Sequence, residues 1–436
     1  MTASNTRKID HSVAVAGFPF PFPKETYRYS TNVEPASVPR ATTAGSWGEH
    51  PVDIDHAYLG ELAERASILS SDPSRLQCLP HMVPAAWDAM FVLMEELAAA
   101  YPQHMSLTRE GGGWHWHNGL LGIDRCFAVG EASSMPEGPL GFIGQQVQED
   151  IVLLDQRDGE LWADAGLVTF AADWSFGFDV GMSFLEIHGP VPRVHDEGVI
   201  PRAQAFLMRL EPGQSYRRTN WTLTVDGKLD TSTETYPEWG PDRTALVDGP
   251  LAAVGDRLHL RTEVQHLIRL PESNAIMFLI RSYLLPFSAL ATVPAWAART
   301  VEVLEDCLRT WPSTRACSEL VRSASAGCGS SVASAREAPP GPRDENRCQQ
   351  LLCSLAVMAD AEQVSSERGS AQEHERGTEG PDAPGEQKAP TQQERAEATL
   401  RSIMAGGNLT AETMKLSNDF TDRQVSRLKA LFRRTS

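Results

Sequence analysis

The stretch LHLRTEVQHLIRLPESNAIMFLIRSYLLPF, residues 258–287, contains two apolar runs separated by the turn-forming residues PESN at 271–274. Polar and apolar residues alternate within each run, which is typical of β-strands because strand side chains repeat every second residue. In the first strand of this predicted hairpin, Arg261, Glu263 and Gln265 share one face. We expect the hairpin to belong to an antiparallel sheet with helices packed on one side, which is an α+β fold.

Upstream segments predict the other elements of this fold. Helical spacing of apolar residues is found over 55–71, 83–102 and 200–213. The second of these predicted helices is apolar around most of its surface, so we expect it to be largely buried. Short runs bounded by Gly, Asp and Pro predict strands over 149–174 and 217–230, with a hairpin turn at Asp226-Gly227.

Composition divides the chain into four predicted segments. Residues 1–24 are expected to form a flexible N-terminal segment, and residues 25–312 to form the main domain. Residues 313–395 are rich in Ser, Ala, Gly, Pro, Glu and Gln, which predicts a disordered low-complexity linker because such a segment buries too little apolar surface. Apolar spacing returns in residues 396–436, which predicts a short helical tail suited to docking.

Charge and cysteine content exclude several classes of protein. The chain of 436 residues has a formal net charge of -18, so we expect no nucleic-acid partner and no anionic membrane partner. Its seven cysteines include no C-x-x-C pair, which argues against a zinc ribbon, a cysteine-held cluster or a disulfide scaffold. Without a long apolar segment, we expect a cytoplasmic protein, with organelle targeting left open.

Most familiar catalytic motifs are missing from the sequence. It contains no G-x-G-x-x-G after a strand, no phosphate-binding loop of the Walker type and no G-x-S-x-G. His115 and His117 in WHWHNG are two residues apart, so both imidazoles would point the same way on a strand and could share a metal. A polar strand end beside a turn explains the same pair of histidines.

Two residues thirty positions apart form the remaining candidate site. His188 precedes Gly189-Pro190-Val191-Pro192, a segment with few backbone conformations that holds its neighbour still. Arg218 begins the RTNW part of RRTNW. An imidazole can bind haem iron and a guanidinium can offer hydrogen bonds beside it, but a structural histidine and an exposed arginine fit this local pattern equally well.

Four ordered blocks resemble the haem-dependent oxidative N-demethylase family, also called the HRQ family. They are VQEDIVLL, IHGPVPRV, RRTNWTLTVD and LRTEVQHLIRLPESNAIMFLIRSYL, and the likeness extends over residues 25–300. The resemblance implies a PAS-like antiparallel sheet flanked by helices that binds haem b. It also implies oxidative removal of an N-methyl group from a small secondary amine with O2, releasing formaldehyde, with electrons from a separate flavin and iron–sulfur reductase.

The resemblance also assigns roles to individual residues. His188 of the IH-x-PVP block matches the axial iron ligand, and Arg218 of the R-x-NW block matches the distal catalytic arginine. Trp174 and Trp221 are candidates for the apolar wall of the haem pocket, and a place in the ordinary hydrophobic core explains either residue equally well. Arg281 is expected either to contact a haem propionate or to pair with Glu263 on the sheet.

Two other classes of function remain open from the sequence. The first is a non-catalytic haem-binding PAS-type sensor of gas or redox state, with the C-terminal helix as its output. The second is an interaction protein that has kept the fold without the cofactor. A Soret band separates the second class from the haem proteins, and formaldehyde production separates an enzyme from a sensor.

Overall fold

The computed structural model describes residues 11–24, 32–38, 40–41, 46–47, 50–188, 198–247 and 254–310. Its helices are α1 His11–Ala16, α2 Tyr58–Ser71, α3 Val83–Ala100, α4 Pro139–Gly144, α5 Phe176–Asp179, α6 Phe184–Ile187, α7 Val199–Leu207, α8 Tyr236–Val247, α9 Val254–Arg257, α10 Phe287–Leu290 and α11 Pro294–Thr310. Its strands are β1 Glu34–Pro35, β2 Arg40–Ala41, β3 Ser46–Trp47, β4 Leu76–Cys78, β5 Met105–Glu110, β6 Gly113–Asn118, β7 Ile123–Phe127, β8 Asp150–Arg157, β9 Glu160–Leu167, β10 Ser215–Val225, β11 Leu258–Arg269 and β12 Ile276–Pro286. The predicted linker and tail lie outside the described residues.

One antiparallel sheet organises the described part of the chain, in the order β1-β10-β11-β12-β8-β9-β4. Directly opposed residues on neighbouring antiparallel strands point to the same face of a sheet. The registers of β10, β11 and β12 therefore define two faces. The front face carries Arg218, Glu263 and Gln265, and the back face carries Trp221, His266 and Arg281.

The predicted hairpin over 258–287 is confirmed as β11 and β12. Its turn is held by Asp88 of α3, whose Oδ2 accepts the backbone N–H groups of Glu272 and Ser273 at 3.0 and 2.7 Å. Asn274 adopts a φ of 61°, a left-handed conformation that asparagine tolerates better than most residues. The buried helix α3 thus fixes the tip of the central hairpin.

The main hydrophobic core lies between α3 and the back face. Met90 and Leu93 of α3 pack in one cluster with Ile151 and Leu153 of β8 and Leu279 of β12, and all five are buried. The predicted helices over 55–71 and 83–102 are confirmed as α2 and α3, and the α3 surface is largely buried, as its all-round apolar sequence predicts.

A second core on the back face includes part of the N-terminal segment. Phe18 and Phe22 are buried beside Trp296 of α11, and the ring of Phe20 stacks on Trp296 with centroids 4.6 Å apart. The stretch from Val15 to Phe22 therefore packs on the domain, which differs from the predicted flexible segment. Burial of these large rings offsets the entropy lost when the segment is ordered.

Short helices cover the front face, so the prediction of helices on one side only is wrong. Arg269 extends from the front face of β11, and its Nη2 donates to the carbonyl oxygens of Leu207 and Met208 at 3.0 and 3.3 Å. This places the end of α7 over the front face, and α6 packs against α7 and β9. The prediction of a short helix within 200–213 is confirmed as α7.

The predicted Asp226-Gly227 hairpin turn joins no hairpin. Both residues have positive φ angles, 58° and 63°, as the predicted turn requires. However, β10 pairs with β11, which begins thirty residues farther along the chain, after α8 and α9. The carboxylate of Asp226 accepts two hydrogen bonds from Arg257, each 2.7 Å long, so the turn is tied to the start of β11 instead.

The chain also contains a separate small sheet of β5, β6 and β7 in sequence order, and the strands β2 and β3 form a pair. In the part of the chain that the structure describes, no helix is both long enough and apolar enough to cross a membrane.

Candidate functional site

The centre of the front face carries a chain of hydrogen bonds between side chains. Arg218 Nη1 donates to Gln265 Oε1 at 3.0 Å, and Gln265 Nε2 donates to Glu263 Oε2 at 2.9 Å. The three residues meet because Arg218 lies directly opposite Gln265 on the neighbouring strand, while Glu263 is two positions earlier on β11. The two strands therefore form the cluster from local register alone.

Glu263 is held in turn by two further side chains. Arg261 Nε donates to Glu263 Oε1 at 3.1 Å, and Asn220 Nδ2 lies 3.4 Å from Glu263 Oε2. Arg261 is fully buried, and its other nitrogens donate to the carbonyl oxygen of Leu229 at 2.6 Å and to that of Phe170. Since a buried charge is stable only when paired and hydrogen-bonded, Arg261 anchors the Glu263 carboxylate in place.

Arg218 stays charged in this environment. Burial lowers the pKa of its guanidinium, while the negative charge of Glu263 opposes this change. Arginine starts from a pKa so high that it remains protonated at any working pH. Arg218 thus presents fixed N–H donors on the front face without taking part in proton exchange.

His188 lies at the C-terminal end of α6, whose first turn is closed by a capping box. The backbone N–H of Ser183 donates to Glu186 Oε2 at 2.9 Å, and the backbone N–H of Glu186 donates to Ser183 Oγ at 3.3 Å. His188 Nδ1 lies 2.7 Å from the carbonyl oxygen of Phe184, and the two rings lie 4.4 Å apart. Because a carbonyl oxygen only accepts, Nδ1 carries the proton and Nε2 is the nitrogen able to bind a metal.

The contacts of α6 and α7 connect His188 indirectly with the front face of the sheet. The histidine follows α6, which packs on α7 and on β9, and α7 is bound through Arg269 to the front face that carries Arg218. The Gly-Pro-Val-Pro segment that follows His188 falls within residues 189–197, outside the described residues. Its predicted role as a rigid mount stays a prediction.

The other predicted site residues do not all lie on the face that carries Arg218. Trp174 precedes α5 in the segment that covers the front face, where the carbonyl of Phe170 binds Arg261. Trp221 is three positions from Arg218 on β10 and therefore lies on the back face, where its ring meets Phe22 at 4.8 Å. Trp221 and Arg218 do not share a face, because strand side chains on one face are an even number of positions apart, and a role of Trp221 in the haem pocket stays a prediction.

Arg281 also lies on the back face, buried under α2. Its Nη1 donates to Glu61 Oε2 at 2.9 Å, and its Nη2 lies 3.0 Å from Asp55 Oδ2. Although burial lowers the pKa of Arg281, Tyr283 and the two carboxylates raise it above its ordinary value. The predicted pairing with Glu263 is wrong because the two side chains are on opposite faces, and a site shared with Arg218 is excluded for the same reason.

The histidine pair of WHWHNG shares a carboxylate. His115 Nε2 and His117 Nδ1 both contact Asp124 on β7, the second at 3.1 Å, as expected for two imidazoles on one strand face. The hydrogen bond that the His115 ring donates to the Asp124 carboxylate raises the pKa of His115. The pair lies on the small sheet, away from the front-face cluster.

Gln265 and Glu263 are the site residues that sequence reasoning did not assign. Their signal was present as polar residues at every second position of a strand whose other positions are mostly apolar. A buried polar stripe of this kind requires internal hydrogen-bond partners.

The sequence of the chain matches a known protein family. The family described as "Haem-dependent oxidative N-demethylase, alpha subunit-like" matches residues 43–313, which is more than half of the chain. The match includes α6 with His188 and the three central strands of the sheet.

Proposed function

The chain belongs to the haem-dependent oxidative N-demethylase alpha-subunit-like family, and from that premise we propose that it demethylates a small secondary amine. The N-methyl carbon is oxidised to formaldehyde, and the amine keeps a hydrogen in its place. One oxygen atom of O2 enters formaldehyde and the other leaves as water, which consumes two electrons and two protons. The electrons come from a separate reductase that carries a flavin and an iron–sulfur centre.

The observation that carries this proposal is the hydrogen bond from His188 Nδ1 to the Phe184 carbonyl at 2.7 Å. Iron-binding histidines typically donate their second ring N–H to a carbonyl or carboxylate, which fixes the ring and makes the other nitrogen a better ligand. His188 therefore fits an axial ligand of haem b. The haem, when bound, supplies the iron at which O2 is activated.

Arg218 is the residue we assign to charge stabilisation beside this group. Its guanidinium is oriented by Gln265, whose amide is in turn oriented by Glu263. A donor held in place before the reaction stabilises negative charge without the cost of reorganisation, and in a water-excluded site such a donor contributes on the order of 3 kcal/mol.

The fold and partners complete the proposal. The antiparallel sheet with helices on both faces supports a PAS-like domain, with Trp174 in the segment over the front face as a wall residue. The family's description as alpha-subunit-like supports association with a further subunit or reductase. We place the protein in the cytoplasm, where a reductase supplied with cellular nucleotide is accessible.

The test uses Arg218→Lys, which keeps the charge but loses the planar fork of donors. We expect the variant to retain its haem and Soret band and to lose ten- to a thousandfold in formaldehyde release, which is roughly the effect of removing one oriented donor. Activity is measured with a chemical reductant and a panel of small N-methyl secondary amines, starting with dimethylamine. Arg109→Lys, on an exposed strand of the small sheet, serves as the matched control.

Two results contradict the proposal. Near-normal turnover of Arg218→Lys at full haem content would make Arg218 a structural residue. A wild-type protein that binds haem and accepts electrons, yet forms no formaldehyde from any amine of the panel, would favour the sensor.

A further inference from the structure

A cavity of about 160 Å³ lies against the back face of the sheet. Its polar lining comes from Asp53, Tyr101, Glu149, His266, Arg281 and Tyr283. His266 and Arg281 belong to β11 and β12, whose front-face neighbours form the cluster around Arg218. The sheet itself therefore separates this cavity from the candidate haem site.

His266 is the residue of the cavity that most needs a partner. It is 5% exposed, and neither of its ring nitrogens has a hydrogen-bond partner among the described residues. Burial, together with the positive charge of Arg217, lowers the pKa of His266 to about 3, so its ring is neutral at physiological pH. A neutral imidazole offers one N–H and one lone pair, and leaving both unused costs free energy in a buried site.

The charges around the cavity favour a cation. Arg281 is already neutralised by Asp55 and Glu61, and Gln148 Nε2 donates to both of these carboxylates at 3.0 and 2.7 Å. Asp53 at the mouth of the cavity accepts a hydrogen bond from the Tyr283 hydroxyl at 2.6 Å but has no cationic partner among the ion pairs of the described residues, so it adds a negative charge.

Two further groups near the cavity do not offset that negative charge. Arg217, opposite His266 on β10, is paired with Glu34 at 3.0 Å. Glu149 adds negative charge whenever it is ionised, and its buried carboxyl accepts the backbone N–H of Asp53 at 3.0 Å. The net charge around the cavity therefore stays negative.

Hydrogen bonds hold one wall of the cavity, and its volume suits a small organic molecule. Arg65 Nη1 donates to the carbonyl oxygens of Val147 and Glu149 at 2.6 and 3.0 Å, which fixes the loop that carries the Glu149 carboxyl. An engineered cavity of roughly 150 Å³ in another protein holds benzene, so about six non-hydrogen atoms fit in such a space. The ring of Tyr101 supplies aromatic wall, which attracts cations, while the ring of Tyr283 already carries the Arg281 guanidinium at 4.6 Å.

We propose that this cavity binds a small alkylammonium ion that carries at least one N–H. The N–H donates to the lone pair of His266, the positive charge faces Asp53 and Glu149, and the alkyl groups contact the ring of Tyr101. The Nε of Arg281 has no acceptor among the described residues and remains available to a water molecule beside the ligand. The inference does not depend on the proposed function, because no residue of the front-face cluster takes part in it.

The first test compares three probes of similar size by calorimetry on the full-length protein. Trimethylammonium has the charge and one N–H, tetramethylammonium has the charge alone, and tert-butanol has a donor but no charge. We expect trimethylammonium to bind one site per chain at least tenfold more tightly than either of the others. Equal binding of the three probes would show a merely apolar cavity and would overturn the proposal, as would no binding of any.

The second test locates the site with substitutions. His266→Leu is expected to weaken trimethylammonium binding at least tenfold, and Asp53→Asn to weaken it several-fold. Asp158→Asn is the matched control, since it removes one negative charge at an exposed turn whose φ of 55° asparagine tolerates. Arg218→Lys should leave the affinity unchanged.

The stability of His266→Leu separates a binding role from a structural one. Removing an unpaired buried polar group should leave the thermal midpoint unchanged or higher, so weakened binding cannot be blamed on unfolding. Unchanged affinity in a stabilised His266→Leu protein would overturn the proposal. Binding that is lost in Arg218→Lys but kept in His266→Leu would place the amine on the front face and overturn it as well.

Discussion

The orientation of the Gln265 amide is fixed by its neighbours. Its Nε2 must face the Glu263 carboxylate, which only accepts, so its Oε1 must face the Arg218 guanidinium, which only donates. Glu263 thereby orients Arg218 through an intervening side chain. The Glu263 carboxylate also pairs with the buried Arg261, so it both orients Gln265 and balances the charge of Arg261.

We expect Glu263→Gln to destabilise the fold by about 2–4 kcal/mol, because it leaves the Arg261 guanidinium buried without its counter-charge. Formaldehyde release per haem should fall as well, since the amide of the new side chain no longer determines how Gln265 faces Arg218. Chemical denaturation and turnover are measured on the same preparation. Asn220→Ala is the control, because it removes only a 3.4 Å contact to the same carboxylate and should cost less than about 1 kcal/mol; equal effects of the two variants would contradict this account.

His188→Ala should lose haem while the fold survives, because the imidazole is half-buried at a helix end and its ring contributes little to the core. Haem content is measured from the Soret band, and folding from circular dichroism. His104→Ala, which truncates an exposed histidine, should keep its haem. A normal haem content in His188→Ala would remove this residue from the axial position.

At the scale of elements, the spacing of apolar residues is sufficient to predict a helix or a strand where one face of that element is buried. The helices α2 and α3 and the hairpin β11–β12 follow from their apolar spacing, which is a property of each segment by itself. The ion-pair partners of Arg281 cannot be predicted from the local sequence, because Glu61 is 220 positions away and only the fold brings α2 over β12. Likewise, the Asp226-Gly227 turn was recognised but its strand partner was not, since turn chemistry fixes a bend without specifying what the chain meets next.

In the candidate site, too, some residues can be predicted from nearby sequence, whereas others depend on contacts between distant parts of the chain. His188 and Arg218 were assigned by resemblance to a family, and the alternation of β11 already placed Glu263 beside Gln265. The opposite faces of Trp221 and Arg218 follow from the sequence alone, since an interval of three positions changes face on any strand. The burial of the N-terminal segment was not predictable from its Phe-Pro alternation, because it depends on Trp296 being presented by α11.

The buried rings of the N-terminal segment should contribute to the stability of the domain. Phe22→Ala should lower the free energy of unfolding by about 3 kcal/mol, because the ring is buried against Trp221 and Phe20. Ala14→Gly, in the adjoining helix α1, is the control for simple fraying and should cost about 1 kcal/mol or less. Denaturant unfolding followed by tryptophan fluorescence measures both; a loss below 1 kcal/mol for Phe22→Ala would mean that the segment does not stabilise the domain.

At the scale of the whole molecule, two buried carboxyls make stability depend on pH. Burial raises the pKa of Glu149 to about 7, and burial with the nearby charge of Glu234 raises that of Asp179 to about 8. Each group binds its proton more tightly in the folded chain than in the unfolded one. Their contribution is therefore complete below the unfolded pKa values near 4 and is lost as the pH rises through the folded values.

Glu149→Gln tests this dependence directly. Between pH 5 and pH 8 the wild-type protein should lose about 2–3 kcal/mol of unfolding free energy relative to the variant, because the neutral amide has no proton to release. The measurement is denaturant unfolding at several pH values, with Asp158→Asn as a control that should follow the wild type. A constant difference between Glu149→Gln and wild type across this range would show that Glu149 titrates normally.

The alternation of β11 has a practical consequence for anyone who wishes to redesign this protein. The side chains of residues 263 and 265 point to the front face of the sheet and those of residues 264 and 266 point to the back face, although the four residues are consecutive along the chain. A library that varies odd positions therefore samples the front-face cluster, and one that varies even positions samples residues along the back-face cavity. A single inserted or deleted residue, by contrast, would exchange the two sets, so substitution and not length variation is the route by which either face can be changed alone.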